Sequence, residues 1–157
     1  MVSPRCFIQS RLLIYHHTLI RYCAMTVNNN GERRRLGLLV ENDEISKEVT
    51  EIFLAEMCDV EFANTGEKAL EMAQEKDYDF FLMDINLGSG LSGVDVTRRL
   101  RGMGKYDNTP IVALTAFAMK GDREEFLSAG CTHYLSKPFE KDALVDLLEE
   151  IFPPQSV

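Results

Sequence analysis

From position 36 onward the chain alternates two hydrophobic patterns. Short unbroken apolar runs, such as Phe80-Phe81-Leu82-Met83, predict strands buried on both faces of a sheet. Between them lie longer stretches in which apolar residues recur every three or four positions, such as Ile45, Val49, Ile52, Phe53 and Met57. These predict amphipathic helices. Strands are expected at 36–40, 59–63, 79–83, 111–114 and 132–136. Helices are expected at 44–57, from 64–66 onward through Ala69, Leu70, Met72 and Ala73, and at 94–101, 119–129 and 140–151. Thr65 or Asn64 is the expected cap of the second helix. Gly130 stops the fourth, and Pro153-Pro154 ends the fifth. Strict alternation with short connections implies right-handed crossovers, a parallel sheet and helices on both of its faces.

The polar residues that end the strands carry the chemistry. Glu41, Asn42 and Asp43 follow the first strand, Asp84 the third, Thr115 the fourth and Lys137 the fifth. In an open parallel sheet these tips share one edge, where ligands bind, so the groups converge although they are distant in sequence. The set is a carboxylate cluster, a hydroxyl and an ammonium. Neighbouring carboxylates repel and favour a hard divalent cation such as Mg²⁺ bound through oxygen. Asp84 is then a nucleophile toward phosphorus, forming an acyl phosphate, with the metal, Lys137 and Thr115 meeting the phosphoryl oxygens.

Composition narrows the partners. The chain has 157 residues and a formal net charge of −8, unevenly spread. Residues 1–35 hold six Arg against one Glu, and the remainder holds 11 basic and 24 acidic side chains. An acidic globular part argues against nucleic acid as a direct partner. The four cysteines are far apart with no CxxC, which indicates neither a zinc site nor a disulfide framework. No apolar run approaches the roughly 20 residues that span a bilayer. The segment RLLIYHHTLIRY, 11–22, is basic and apolar, but His16, His17 and Thr18 interrupt it as a signal peptide. The composition break suggests that translation starts at Met25. The expected organisation is a basic extension over 1–35, one domain over 36–152 and a tail over 153–157.

Four motifs at these strand ends, LLVEND with Glu41, FLMDIN with Asp84, ALTA with Thr115 and YLSKPF with Lys137, closely resemble the receiver domains of two-component response regulators. The resemblance spans about Leu36 to Phe152. It implies a flavodoxin-like (βα)5 doubly wound fold with strand order 2-1-3-4-5. It also implies phosphotransfer to Asp84 from a sensor histidine kinase or a histidine phosphotransfer protein, and Mg²⁺ held by Glu41, Asp84, Asn42 and the backbone carbonyl of Asn86. Thr115 and Tyr134 match the pair whose rearrangement couples phosphorylation to the helix 4–strand 5–helix 5 face, a candidate dimerisation surface. Lys137-Pro138 matches a position that is usually cis. A cytoplasmic chain signalling to a downstream protein follows, with no output domain after Ile151. Its chemistry is limited to Mg²⁺-dependent self-phosphorylation and slow autodephosphorylation. The run ALTAFAMKGDREEFLSAGC looks like receivers that work with hybrid sensor kinases.

The departures lie around the metal site. Receivers carry two acidic residues after the first strand; here the second place holds Asn42, which brings no charge and is expected to weaken Mg²⁺ binding. Asp43 is next in line to compensate. Gly88 stands where a Pro is usual, and the Gly that follows falls one position late, at Gly93, so the loop 85–93 is longer. Asn86 is placed to orient an attacking water, and Phe117 to screen the phosphoryl group and slow hydrolysis. The competing function is a degenerate receiver that binds its partner without phosphorylation. An aspartate-nucleophile phosphatase of the haloacid dehalogenase type would need an acid where Asn86 stands.

Overall fold

The computed structural model describes residues 33–116 and 122–153, and the fold belongs to the unit that begins at Leu36. Ten elements alternate along it. They are β1 (Arg35–Val40), α1 (Glu44–Leu54), β2 (Cys58–Ala63), α2 (Gly66–Glu75), β3 (Phe80–Asp84), α3 (Gly93–Gly102), β4 (Ile111–Thr115), α4 (Asp122–Ala129), β5 (His133–Ser136) and α5 (Lys141–Ile151). The strands form one sheet in the order β2-β1-β3-β4-β5. The β1–β3, β3–β4 and β4–β5 ladders are all parallel, with Val40 opposite Met83, Asp84 opposite Leu114 and Thr115 opposite Ser136. This is the flavodoxin-like doubly wound order, reversing direction between β1 and β3.

Period-two alternation divides the core. Leu39, Phe80, Leu82, Val112 and Leu114 face one layer, where they pack with Leu54 of α1 and Leu144 and Leu148 of α5. Leu38, Val40, Phe81, Met83, Ile111 and Ala113 face the other, against Ala69 and Leu70 of α2, Val96 and Leu100 of α3 and Phe126 of α4. Every residue of β3 and β4 is buried. That is why these strands read as unbroken apolar runs rather than alternating ones.

Caps set where the helices begin. Asp43 caps α1, its Oδ1 accepting from Ser46 N at 2.8 Å. Thr65, of the two expected candidates, caps α2. Asn64 instead accepts from Lys47 Nζ at 2.8 Å. Ser92 and Asp95 form a capping box at the start of α3. The first helix stops at Leu54, short of the expected 57, because 55–57 turn the chain into β2, with Met57 N donating to Leu54 O at 2.9 Å. The expected start of the fourth helix at 119 lies outside the described residues.

At the N-terminal edge of the sheet one side chain ties several loops together. Arg101, in the last turn of α3, donates from Nε and Nη2 to Gly130 O at 2.9 and 2.6 Å, and from Nη1 to Thr109 O at 2.8 Å and to Tyr106 O. Gly130 sits at φ +110°, and a Cβ there would lie 2.7 Å from Arg101 Cγ. Tyr106 fills the space above, its ring edge-on to Phe81 and its hydroxyl donating to the carbonyls that end α2.

Candidate functional site

The opposite, C-terminal edge gathers the residues expected to carry chemistry. Glu41 directly follows β1 and is 1% exposed; Asp84 ends β3 and is 7% exposed. Both are held the same way. Glu41 Oε1 accepts from Asp43 N at 3.0 Å, and Asp84 Oδ1 accepts from Asn86 N at 2.9 Å, so each carboxylate meets the backbone N–H two residues further on. Their remaining oxygens, Glu41 Oε2 and Asp84 Oδ2, share the ammonium of Lys137, the latter at 3.0 Å. Two buried carboxylates on one ammonium leave a net negative charge.

Lys137 is brought there by its backbone. It follows β5 directly, and its N–H donates to Thr115 O at 2.7 Å. The Lys137-Pro138 bond is cis. Burial of the ammonium pulls its pKa down, but the hydrogen bonds to Glu41 and Asp84 outweigh burial and raise it above the ordinary lysine value. The side chain therefore stays charged throughout the neutral range.

Thr115 ends β4 at 3% exposure, beside the residue that leads into Lys137. Asn86 contributes its backbone N–H to Asp84, and its side chain is exposed. Asn42 is turned elsewhere: its Nδ2 donates to Leu87 O at 3.2 Å. Asp43, held below the usual carboxylate range by its side-chain and backbone hydrogen bonds to Ser46, serves as a helix cap. Tyr134 stands apart from the cluster on the edge strand β5, 42% exposed, with the Arg123 guanidinium 5.8 Å from its ring centroid. Phe117 lies outside the described residues. Glu41, Asp84 and Lys137 are thus brought into contact; Thr115, Asn86 and Asn42 surround them.

Two contributors escape the sequence, and a third was marked there only by its position. Glu67, in the first turn of α2, accepts from Leu91 N at 3.3 Å and so holds the far end of the glycine-rich loop. Lys47 is a buried lysine of α1 that bridges Glu44 and Asn64 near the same edge. Gly93 lets α3 start directly against the strand: a Cβ there would lie 2.2 Å from Asp84 O. Only that glycine had a sequence signal, its shifted position after the loop.

The donor set suits a hard cation. Among the described residues no three His, Cys, Asp or Glu side chains are grouped as metal ligands. Mg²⁺ commonly uses one or two carboxylates and keeps several waters, so the Glu41–Asp84 pair with backbone and amide oxygens is a fitting set.

Comparison with known proteins identifies the family. Residues 38–149 match the family model described as the response regulator receiver domain. The chain belongs to the response regulator receiver domain family. This receiver is 33% identical over 113 residues to the polar-differentiation response regulator DivK of Brucella ovis, covering 71% of this chain and 91% of DivK. Among solved structures it is similar to the receiver domain of the sensor histidine kinase PA1611 from Pseudomonas aeruginosa. There the identity is 36% and the TM-score 0.68, over 74% of this chain and 96% of that one. That receiver holds a magnesium ion in its active site cleft. It is also similar to the receiver domain of Ssk1 from Saccharomyces cerevisiae, crystallised with the histidine phosphotransfer protein Ypd1. In that case identity is 27% and TM-score 0.68, over 74% of this chain and 88% of that one. No helix among the described residues of this receiver is long and apolar enough to cross a membrane.

Proposed function

We propose that this receiver accepts a phosphoryl group on Asp84 from a sensor histidine kinase or a histidine phosphotransfer protein. The observation that carries the reading is the 3.0 Å bond from Lys137 Nζ to Asp84 Oδ2 within a buried carboxylate pair at the sheet's C-terminal edge. In the transfer, an Asp84 oxygen bonds to phosphorus as the donor's P–N bond breaks, and the electron pair leaves with the imidazole. The product adds negative charge beside Glu41. Lys137 is the cation in reach of it, and Thr115 a hydroxyl that donates to a phosphoryl oxygen. Glu41, Asp84 and the Asn86 carbonyl would hold Mg²⁺, which when bound supplies further positive charge to those oxygens; the Asn42 side chain, expected among the ligands, is engaged with Leu87 O instead. Asn86 orients the water that later removes the group.

The organisation that goes with this reading is a receiver over 36–152, flanked by a basic extension over 1–35 and a short tail, working in the cytoplasm. The donor docks beside Asp84 on α1, where Ile45 and Ile52 are 72% and 69% exposed and Val49 completes the stripe. A groove of about 240 Å³ runs from that stripe to Pro138 and Phe139. Output passes to a downstream protein through the α4–β5–α5 face, with Thr115 and Tyr134 as the switch and that face as a dimerisation surface. Incubating the chain with acetyl phosphate and Mg²⁺ tests the central claim by intact mass. The wild-type chain is expected to gain one phosphoryl group, mapped to Asp84, and Asp84→Asn none; equal labelling of both would overturn the reading.

The second reading is a receiver that binds its partner without phosphorylation. Asn42 favours it, because an uncharged side chain stands where a metal-binding carboxylate is usual. Labelling of Asp84 decides between the two.

A further inference from the structure

The side chain of Asn42 is tied down away from the Glu41–Asp84–Lys137 cluster, and its partner is informative. Its Nδ2 donates to the carbonyl of Leu87, 45 residues away, at 3.2 Å. Leu87 is buried at 5% exposure and belongs to the loop that follows Asp84. The next residue, Gly88, has φ +80°, and a Cβ there would lie 3.3 Å from Asn42 Nδ2. The same loop is gripped at its far end by Glu67 on Leu91 N, with Gly90 at φ +90° beside that carboxylate. A long loop with two left-handed glycines has high conformational entropy when free. Here it is clasped at both ends, and the near clasp joins it to the β1–α1 connection on the other side of Asp84.

The chemistry of the near clasp depends on the amide. An amide N–H donates to a carbonyl oxygen; an aspartate at the same place is acceptor-only. Two oxygens facing each other would repel unless a cation lay near them. We propose that Asn42 is a positioning residue, a latch that sets the Asp84 loop without a divalent cation and thereby trades cation affinity for a loop ordered in advance. In the reading of Asp84 as phosphoryl acceptor, on which only the functional consequence rests, Asn86 and its N–H to Asp84 are then in place before Mg²⁺ arrives. Asn42 is on this view not a vestige of a lost ligand but the reason the loop tolerates Gly88 and Gly90.

Two variants of the full chain, Asn42→Asp and Asn42→Ala, separate the latch from the cation. Amide hydrogen exchange over 86–91 and thermal melting are read in EDTA and in Mg²⁺, and Mg²⁺ affinity is measured by titration with the chloride salt. Asn42→Ala is expected to speed exchange in EDTA at Asn86 and Leu91, the loop amides that donate to Asp84 and Glu67, by roughly fivefold, the loss of about one hydrogen bond from the loop, with no gain in Mg²⁺ affinity. Asn42→Asp is expected to melt lower in EDTA, to bind Mg²⁺ roughly tenfold tighter through its added carboxylate, and to recover its loop protection in Mg²⁺. The wild-type loop is expected to be equally protected in both conditions. Unchanged exchange in Asn42→Ala, or a wild-type loop that becomes protected only on adding Mg²⁺, would overturn the proposal. None of these readouts involves phosphorylation, so a failure here is distinct from a failure to label Asp84.

Discussion

Lys137 bridges two buried carboxylates and offsets their mutual repulsion. Removing it leaves both charges facing one another with no cation, and breaking such a pair costs on the order of 3 kcal/mol. Lys137→Met is therefore expected to lower stability by about that much at neutral pH. The pH dependence follows from the raised pKa of the lysine. A cation whose folded pKa lies above its unfolded value adds stability that is complete below the ordinary 10.5 and is lost as pH rises through the folded value. The gap between wild-type and Lys137→Met in urea melts should be constant from neutral pH to about 9 and close on the alkaline side. A gap that closed instead between pH 7 and 9 would contradict the two hydrogen bonds from Lys137 to Glu41 and Asp84. At this scale the sequence was most legible. Glu41 and Asp84 announced themselves because each stands at the C-terminal tip of a strand whose preceding residues are apolar and buried, where a charged residue has few reasons to stand; Lys137, after the half-exposed edge strand β5, was legible only through its place in the YLSKPF motif. Asn42, Glu67 and Lys47 were not legible in their roles. Each acts on a loop or cap between 17 and 45 residues away, and no periodic pattern records such a pairing.

Among the elements, α1 differs from the other helices in what it leaves outside. Thr50 and Leu54 are buried toward the sheet, yet Ile45 and Ile52 remain in water. The seven-residue separation places both on one face of the helix, with Val49 between them. Isolated exposed apolar side chains are ordinary, but a row of them beside the proposed phosphoryl acceptor suits a partner that supplies its own apolar face. Ile52→Glu is expected to leave the melting temperature within a degree or two of wild type, as surface substitutions usually do. It should slow phosphotransfer from a protein donor by about tenfold while leaving labelling by acetyl phosphate unchanged. Equal slowing with both donors would place Ile52 in folding rather than docking. The same helix also marks where periodicity misleads. Met57 continues the apolar spacing past Leu54, but it belongs to the turn into β2, because Cys58 must already lie in the sheet. Hydrophobic spacing records which face is buried, and it does not record where hydrogen bonding changes hands.

The whole molecule has unequal edges. At the N-terminal edge, Arg101 ties α3 to Tyr106, Thr109 and Gly130, and Asp79 pairs with Leu36 through both backbone and side chain. The C-terminal edge holds the charged cluster and a loop with two left-handed glycines. Native-state hydrogen exchange should reflect this: Ile111, Phe81 and Thr132 are expected to exchange only by global unfolding, and 86–91 by local opening. Comparable protection at both edges would argue against the division. The fold itself was readable from alternation alone, since five buried runs separated by five amphipathic stretches admit few other arrangements. The Arg101 stitch was not readable, because an arginine in the last turn of a helix has an ordinary reason to be there in the helix dipole.

That stitch has a consequence for how such a chain diversifies. With the N-terminal edge fixed by Arg101 and by the Asp79–Leu36 pair, substitutions among the loops of the C-terminal edge strain only their immediate neighbours. A lineage built on this plan can retune which partner it meets, and how long a signal lasts, one loop at a time without reopening the question of whether it folds.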